Sequence, residues 1–263
     1  MTSTAAAPFI RREMDDQGVC TLTIDRPESG ANIFDAGALE SLREQLDFLE
    51  KESGLKGVIV TSAKKSIFIA GADLQTLLRQ AQTGEMRAFI AHGQQIFKRL
   101  AALKVPTVAA IHGACAGGGY EIALACDYRV ASDAPATRIG LPETTLGLVP
   151  AWGGATRLPR LIGIEAAGEV ILKGKLYPAA EALQLGLVDE VVAQDKLMEA
   201  ARAKLPSGKR AAKDPASTKT ISAKPSQNPA PARAAEIINQ SLTSSLDDSL
   251  GRELDAIVEL GET

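Results

Sequence analysis

The sequence predicts an α/β fold, a layered core followed by a helical C-terminal region, and three features carry that prediction. Short apolar runs alternate with segments whose apolar residues recur three and four positions apart, the pattern of strands feeding helices. Glycine and proline punctuate the junctions between them. Beyond residue 205 the chain turns to a Lys/Ser/Pro-rich stretch and then to a long helical stripe.

The elements follow in order. Residues 19–24 (VCTLTI) read as a strand, closed by Asp25-Arg26-Pro27 because proline cannot extend a ladder. Residues 39–50 place Leu39, Leu42, Leu46 and Leu49 on one helical face. GVIVT at 57–61 is a short buried strand. Asp73, after Gly71-Ala72, reads as a helix N-cap, and residues 74–84 read as a loop that sets pocket depth. Residues 88–103 form a helix with Phe89, Ile96 and Leu100 on its apolar face. Residues 105–111 and 127–131 are further strands, 165–173 and 179–185 helices, and 186–192 a strand. Three segments result: a core at 1–205, an exposed connector at 206–231 with little apolar surface to bury, and a helical segment at 232–263. Within the last, residues 233–260 carry a stripe that includes Ile237, Leu242, Leu246, Leu250 and Ile257. It must pack on the core, the pocket roof or a partner subunit.

The chemistry concentrates at residues 108–121, VAAIHGACAGGGYE. A buried strand runs into Gly117-Gly118-Gly119, and Glu121 opens the helix read over 120–126. Glycines let the backbone approach a ligand without a Cβ in the way. The helix start offers free N–H groups that can hold a negative oxygen, with Glu121 beside them as a proton carrier. The glycines are contiguous, without the G-x-G-x-x-G spacing of a dinucleotide site. A packing turn without chemistry is the other reading, and a second acid counts against it. Glu143 stands in IGLPETTLGLVP, a setting too apolar for an ordinary solvated charge. Burial would raise its pKa towards neutrality, and two such acids facing one pocket can divide water activation from proton supply.

The chain resembles the enoyl-CoA hydratase/isomerase (crotonase) family over about residues 8–205. Four segments carry the likeness, in order: Arg26-Pro27 with Ala31-Asn32-Ile33; Phe68-Ile69-Ala70-Gly71-Ala72-Asp73; Gly117-Gly118-Gly119-Tyr120-Glu121; and Gly140-Leu141-Pro142-Glu143 running to Pro150-Ala151-Trp152-Gly153-Gly154. IGLPETTLGLVP with WGGATRLPRLIG is most similar to hydratase domains of multifunctional fatty-acid oxidation proteins. The resemblance implies a ββα spiral core. It implies an oxyanion hole from the backbone N–H of Ala72, after Gly71, and of Gly118, after Gly117. It implies that Glu143 exchanges the proton at Cα while Glu121 orients and deprotonates the water attacking Cβ. Backbone near Ala70 and Ile33 would grip the adenine and pantetheine parts of coenzyme A. Many family members have glycine where Ala151 stands, with an N–H that helps hold the catalytic water; alanine keeps the N–H and adds a methyl group. Trp152 reads as a buried core aromatic.

The implied reaction is hydration of a trans-2-enoyl-CoA to a 3-hydroxyacyl-CoA, with double-bond isomerisation as the near alternative. A noncatalytic scaffold is the alternative of another class, and it has no need of both acids. No cofactor is expected beyond the coenzyme A thioester substrate. Relatives suggest a trimer, or association with a 3-hydroxyacyl-CoA dehydrogenase, whose fused half the chain does not include. A formal charge of −3 gives no basic footprint for nucleic acid. No apolar run approaches the roughly 18 residues of a membrane span. Residues 1–8 resemble neither a signal nor a transit peptide, so the expected location is cytoplasmic. Cys20, Cys115 and Cys126 are expected as buried free thiols, and His92 and His112 as structural. No cluster has metal-ligand spacing.

Overall fold

A computed structural model describes residues 8–211, 219–224 and 226–261. Among the described residues ten strands build two sheets: β1 (Ile10–Met14), β2 (Val19–Ile24), β3 (Gly57–Ser62), β4 (Ile67–Ile69), β5 (Thr107–Ile111), β6 (Ala114–Ala116), β7 (Tyr128–Ser132), β8 (Arg138–Gly140), β9 (Tyr177–Pro178) and β10 (Glu190–Val192). One sheet runs β1-β2-β3-β5-β7-β10, the other β4-β6-β8-β9. From β2 onward the large sheet is parallel, and β1 is an antiparallel edge strand. Its centre is buried on both faces, which is why β3 and β5 read as unbroken apolar runs.

Each long inner strand is followed by a short strand in the second sheet and then by helix. β3 gives β4, β5 gives β6, and β7 gives β8, so the chain advances as a ββα spiral. Gly113 makes one of these corners. Its φ is +69°, and a Cβ there would lie 2.0 Å from the Ser66 carbonyl carbon, so no other residue fits.

The helices are α1 (Ala36–Leu49), α2 (Leu74–Thr83), α3 (Met86–Ala101), α4 (Gly118–Ala125), α5 (Gly154–Ile162), α6 (Ile164–Lys173), α7 (Ala179–Gln184), α8 (Leu197–Lys204), α9 (Ala230–Ser241) and α10 (Leu246–Gly261). Leu39, Leu42, Leu46 and Leu49 are buried on α1, as their spacing predicts. Residues 74–84 are not a loop. Asp73 caps α2 by accepting the Thr76 N–H at 3.2 Å, and Gly84 ends it in the left-handed region. The last strand is shorter than its apolar run, because Leu187 N–H turns back to the Ala182 carbonyl and pairing starts at Glu190.

The terminal stripe is two helices rather than one. Ser245 Oγ accepts the Asp248 N–H at 3.0 Å and starts α10 afresh. Arg160 donates to the Ser244 carbonyl at 2.9 Å and fixes the corner. Of the connector expected at 206–231, residues 212–218 and 225 lie outside the described residues. Ile221 within it is docked: its N–H donates to Asn239 Oδ1 at 2.8 Å, and its side chain fills the space a Cβ on Gly168 would need. The three cysteines are buried and unpaired. Among the described residues no helix is long and apolar enough to cross a membrane.

Candidate active site

The site lies where β4, the start of α4, the Glu143 turn and the loop before α5 converge. Ala70, Gly71, Ala72, Gly117, Glu121, Glu143 and Ala151 all line one cleft, with apolar walls from Leu77, Ile90, Leu148 and Ile257. Its volume of about 110 Å³ is well above the roughly 10–15 Å³ that admits one water. Ile33 is not in the lining; it sits beside Phe34, which forms a single bridge with Ala72. Asn32 explains why that segment is fixed. Its buried side-chain amide donates to Ile24 and Phe68 carbonyls at 3.0 and 3.1 Å, while its backbone carbonyl accepts the Ala70 N–H at 2.8 Å.

Two backbone donors lie at the cleft: Ala72 lines it, and Gly118, outside the lining, adjoins Ala72. Phe34 N–H binds the Gly71 carbonyl and Asp73 N–H binds the Phe34 carbonyl. That alternation turns the intervening Ala72 N–H the other way, as in any parallel pairing. Gly118 is the first residue of α4, where an N–H has no helical acceptor. Neither N–H has a partner among the described residues. The two are close: a Cβ on Gly118 would lie 3.5 Å from the Ala72 nitrogen. It would also lie 2.7 Å from the Trp152 ring, so glycine here makes room for the indole as well as for a ligand. Gly119 seats the helix, since a Cβ there would strike the Ile69 carbonyl at 2.2 Å.

Trp152 is buried, with edge-on contacts to Phe34, Phe89 and Phe97 at centroid distances of 5.6–5.8 Å. It is the core aromatic expected, and it also forms part of the cleft wall. Its backbone has a second task. Glu121, 2% exposed, accepts the N–H of Trp152 at 2.7 Å and of Gly154 at 2.8 Å, both through Oε1. Burial pushes the Glu121 carboxyl up to about 7, while these N–H groups and the Arg157 charge restrain the rise.

Glu143 opens a short 3-10 turn, Glu143–Leu146. Its Oε2 is buried without a hydrogen-bond partner among the described residues. Its Oε1 lies against Gly117, where a Cβ would approach it to 2.9 Å. Burial first, then the charges of Glu121 and Glu253, hold the Glu143 proton far above the ordinary carboxylate range. The cleft therefore sets two glutamates, Glu121 and Glu143, beside two free N–H donors, and burial raises the pKa of both.

The sequence profile of the enoyl-CoA hydratase/isomerase family matches residues 14–253. The chain belongs to that family. The fatty acid oxidation complex subunit alpha of Vibrio campbellii is 42% identical over 207 residues, 79% of this chain. The protein of the same name from Shewanella baltica is 37% identical over 267 aligned positions, 93% of this chain. The chain spans only 29% and 38% of the lengths of these two relatives. Among solved structures, an enoyl-CoA hydratase from Bacillus anthracis is 31% identical with a TM-score of 0.70, covering 94% of this chain and 89% of that one. A carnitinyl-CoA dehydratase from Mycobacterium thermoresistibile, 20% identical, shares the fold at a TM-score of 0.80 over 98% of this chain and 87% of that one.

As an enoyl-CoA hydratase/isomerase family protein, the chain holds residues behind this cleft, outside its lining, that its motifs did not single out. Gln94 on α3 donates to the carbonyls of Ala151 and Leu250, both at 2.8 Å, tying the loop to α10. The Ala151 N–H itself has no partner among the described residues and lines the cleft. Arg157 is buried and donates to the Trp152 carbonyl at 3.0 Å. Glu253 on α10 is fully buried and accepts the Gly153 N–H at 2.7 Å. A signal for Glu253 existed: Leu250, Glu253, Ile257 and Leu260 fall at helical spacing on one face, and all four are buried. The histidines take no part. His112 Nε2 meets the Lys64 carbonyl at 2.7 Å, and His92 lies on the exposed side of α3.

Proposed function

We propose that this protein is an enoyl-CoA hydratase, adding water across the double bond of a trans-2-enoyl-CoA to give a 3-hydroxyacyl-CoA. The observation that carries the reading is the pair of glutamates, Glu121 and Glu143, lining one cleft beside paired free N–H donors. The thioester oxygen sits between the N–H of Ala72 and of Gly118. These donors gain strength as the oxygen takes on enolate charge, which is where such groups act most. Glu121, the carboxylate, takes a proton from water as its oxygen bonds to Cβ. Glu143, the acid, gives its proton to Cα, so the Cα–Cβ double bond is consumed and both acids end in exchanged states. The free N–H of Ala151 is a second holder for that water. A proton then passes back through solvent to restore the pair.

Isomerisation needs only one acid to move a proton between carbons, and a scaffold needs neither; two acids on one cleft favour hydration. Backbone near Ala70, Gly71, Gly117 and Ile33 carries the coenzyme A contacts in this reading. No cofactor is called for beyond the thioester substrate. The names of the relatives, subunits of a fatty acid oxidation complex, favour a fatty-acyl group; in this reading the partner is a 3-hydroxyacyl-CoA dehydrogenase, since that enzyme class consumes the product, and the setting is cytoplasmic. Assembly as a homotrimer is the other arrangement. The test is loss of the conjugated thioester absorbance with crotonyl-CoA and a longer 2-enoyl-CoA, with a 3-enoyl-CoA in parallel. Turnover of the 3-enoyl-CoA alone would replace hydration by isomerisation.

A further inference from the structure

Three consecutive N–H groups, those of Trp152, Gly153 and Gly154, are divided between two buried glutamates. Glu121 takes the first and third on Oε1, at 2.7 and 2.8 Å. Glu253 takes the middle one on Oε2, at 2.7 Å, from the opposite side. The turn between them is not one that the chain adopts freely, since Gly153 has a φ of +110°. A Cβ there would lie 1.7 Å from the Arg157 guanidinium. Gln94 holds the same loop one residue earlier, through the Ala151 carbonyl, and holds α10 through Leu250.

Glu253 is expensive to keep for packing alone. It is wholly inaccessible to solvent, on the apolar face of α10, and its Oε1 has no partner among the described residues. A leucine or methionine would fill the space without removing a carboxyl from water. Its neighbours are those of the site: Glu121, Arg157, Thr156 and Gly153 bear on it, it bears on Glu143, and Arg160 feels its charge.

We propose that Glu253 is a positioning residue for the hydration step: it grips Gly153 so that the flanking N–H groups of Trp152 and Gly154 aim Glu121 at the water. The assignment rests on the hydratase reading above. It gives α10 a part in the chemistry, although no atom of Glu253 need touch substrate.

Trp152 is the only tryptophan in the chain, so its fluorescence reports this turn directly. Glu253→Met keeps volume and removes the acceptor; Glu253→Gln keeps an oxygen for Gly153. In crotonyl-CoA hydration, Glu253→Met lowers kcat about 10- to 100-fold with KM within about threefold, the size expected of a misaimed group. It also shifts Trp152 emission, whereas Glu253→Gln restores both. Introduced into Glu121→Gln, Glu253→Met brings no further loss, because its whole effect passes through Glu121. Equal losses in both backgrounds, or unchanged kcat and emission in Glu253→Met, overturn the proposal and leave the hydratase reading intact. A wild-type protein that hydrates no enoyl-CoA overturns the reading, and this role falls with it.

Discussion

The two walls of the cleft are built on different terms. The sheet-side wall, residues 70–72 and 117–118, presents backbone: its donors are N–H groups whose direction is set by a strand bridge and a helix start. The helix-side wall, built from the loop 151–154, is held from behind by side chains of α3, α5 and α10: Gln94, Arg157 and Glu253. A donor fixed by the sheet tolerates change in its neighbours' side chains as long as no Cβ intrudes. A turn held by buried carboxylates depends on each of those side chains and on their protonation. The first wall is thus vulnerable at glycines, the second at acids.

The sharpest break of that contrast is Gly118→Pro. It removes one of the two donors and drives ring atoms into Trp152. Hydration falls on the order of 100- to 1,000-fold, about 3 kcal/mol or more of transition-state stabilisation. A folded Gly118→Pro protein, judged by circular dichroism, with normal crotonyl-CoA turnover would place the donor elsewhere. Gly118→Ala sharpens the same point. It keeps the N–H, so its loss measures the cost of moving the Trp152 ring alone, since the new Cβ would sit 2.7 Å from it.

The acids come next. Glu143→Gln and Glu121→Gln each lower turnover by about 100-fold or more, the lower range for a lost general acid or base. Binding of a saturated acyl-CoA changes little, which isothermal titration would show. Turnover near wild type in both variants would remove the division of labour proposed for the pair.

Protonation sets a smaller effect on stability. Glu121 and Glu253 have folded pKa values raised to about 7 and about 8. Ordinary carboxyls, as in the unfolded chain, titrate at about 4.3. The folded state therefore binds protons that the unfolded state has released. Their stabilisation is complete below the unfolded value and is lost as pH rises through 7 and 8. Thermal melts from pH 5.5 to 9 fall by on the order of 5 °C, and the fall is shallower in Glu121→Gln and Glu253→Gln. A melting temperature that rises over this range would contradict the burial argument.

The mildest perturbation is a cut in the connector. Trypsin cleaves first between Lys209 and Lys224, where lysines are dense, and the terminal helices stay bound. Each buried Leu or Ile on them is worth about 1.5–3 kcal/mol, and Gln94 and Arg160 add polar ties. Nicked protein should keep hydratase activity and its mass on size exclusion. Loss of the terminal fragment with activity intact would show that the helix-side wall is dispensable.

Periodicity and turn residues marked the elements that bury a whole face. Val19–Ile24 was legible to the residue, and the leucines of α1 lie where their spacing put them. The short strands β4, β6 and β8 were not legible, because three residues are too few to show a period and each exists only by pairing with the others. The glycine run and both acids stood out because glycine and glutamate are rare choices inside apolar sequence, and a family likeness named their places. Residues 74–84 were misread because a surface helix with two buried residues, Thr76 and Leu77, has little apolar pattern to display.

The sequence by itself determined the layered α/β core, the glycine run, the places of the two acids in the motifs and the family, since each depends on residues close together in the chain or on a fixed order of motifs. Only the tertiary structure decided which N–H groups stay free, that Glu121 and Glu143 come to one cleft, and that Glu253 reaches Gly153 from a hundred residues away. Those facts depend on burial and on distances across the fold, and neither is encoded in local spacing.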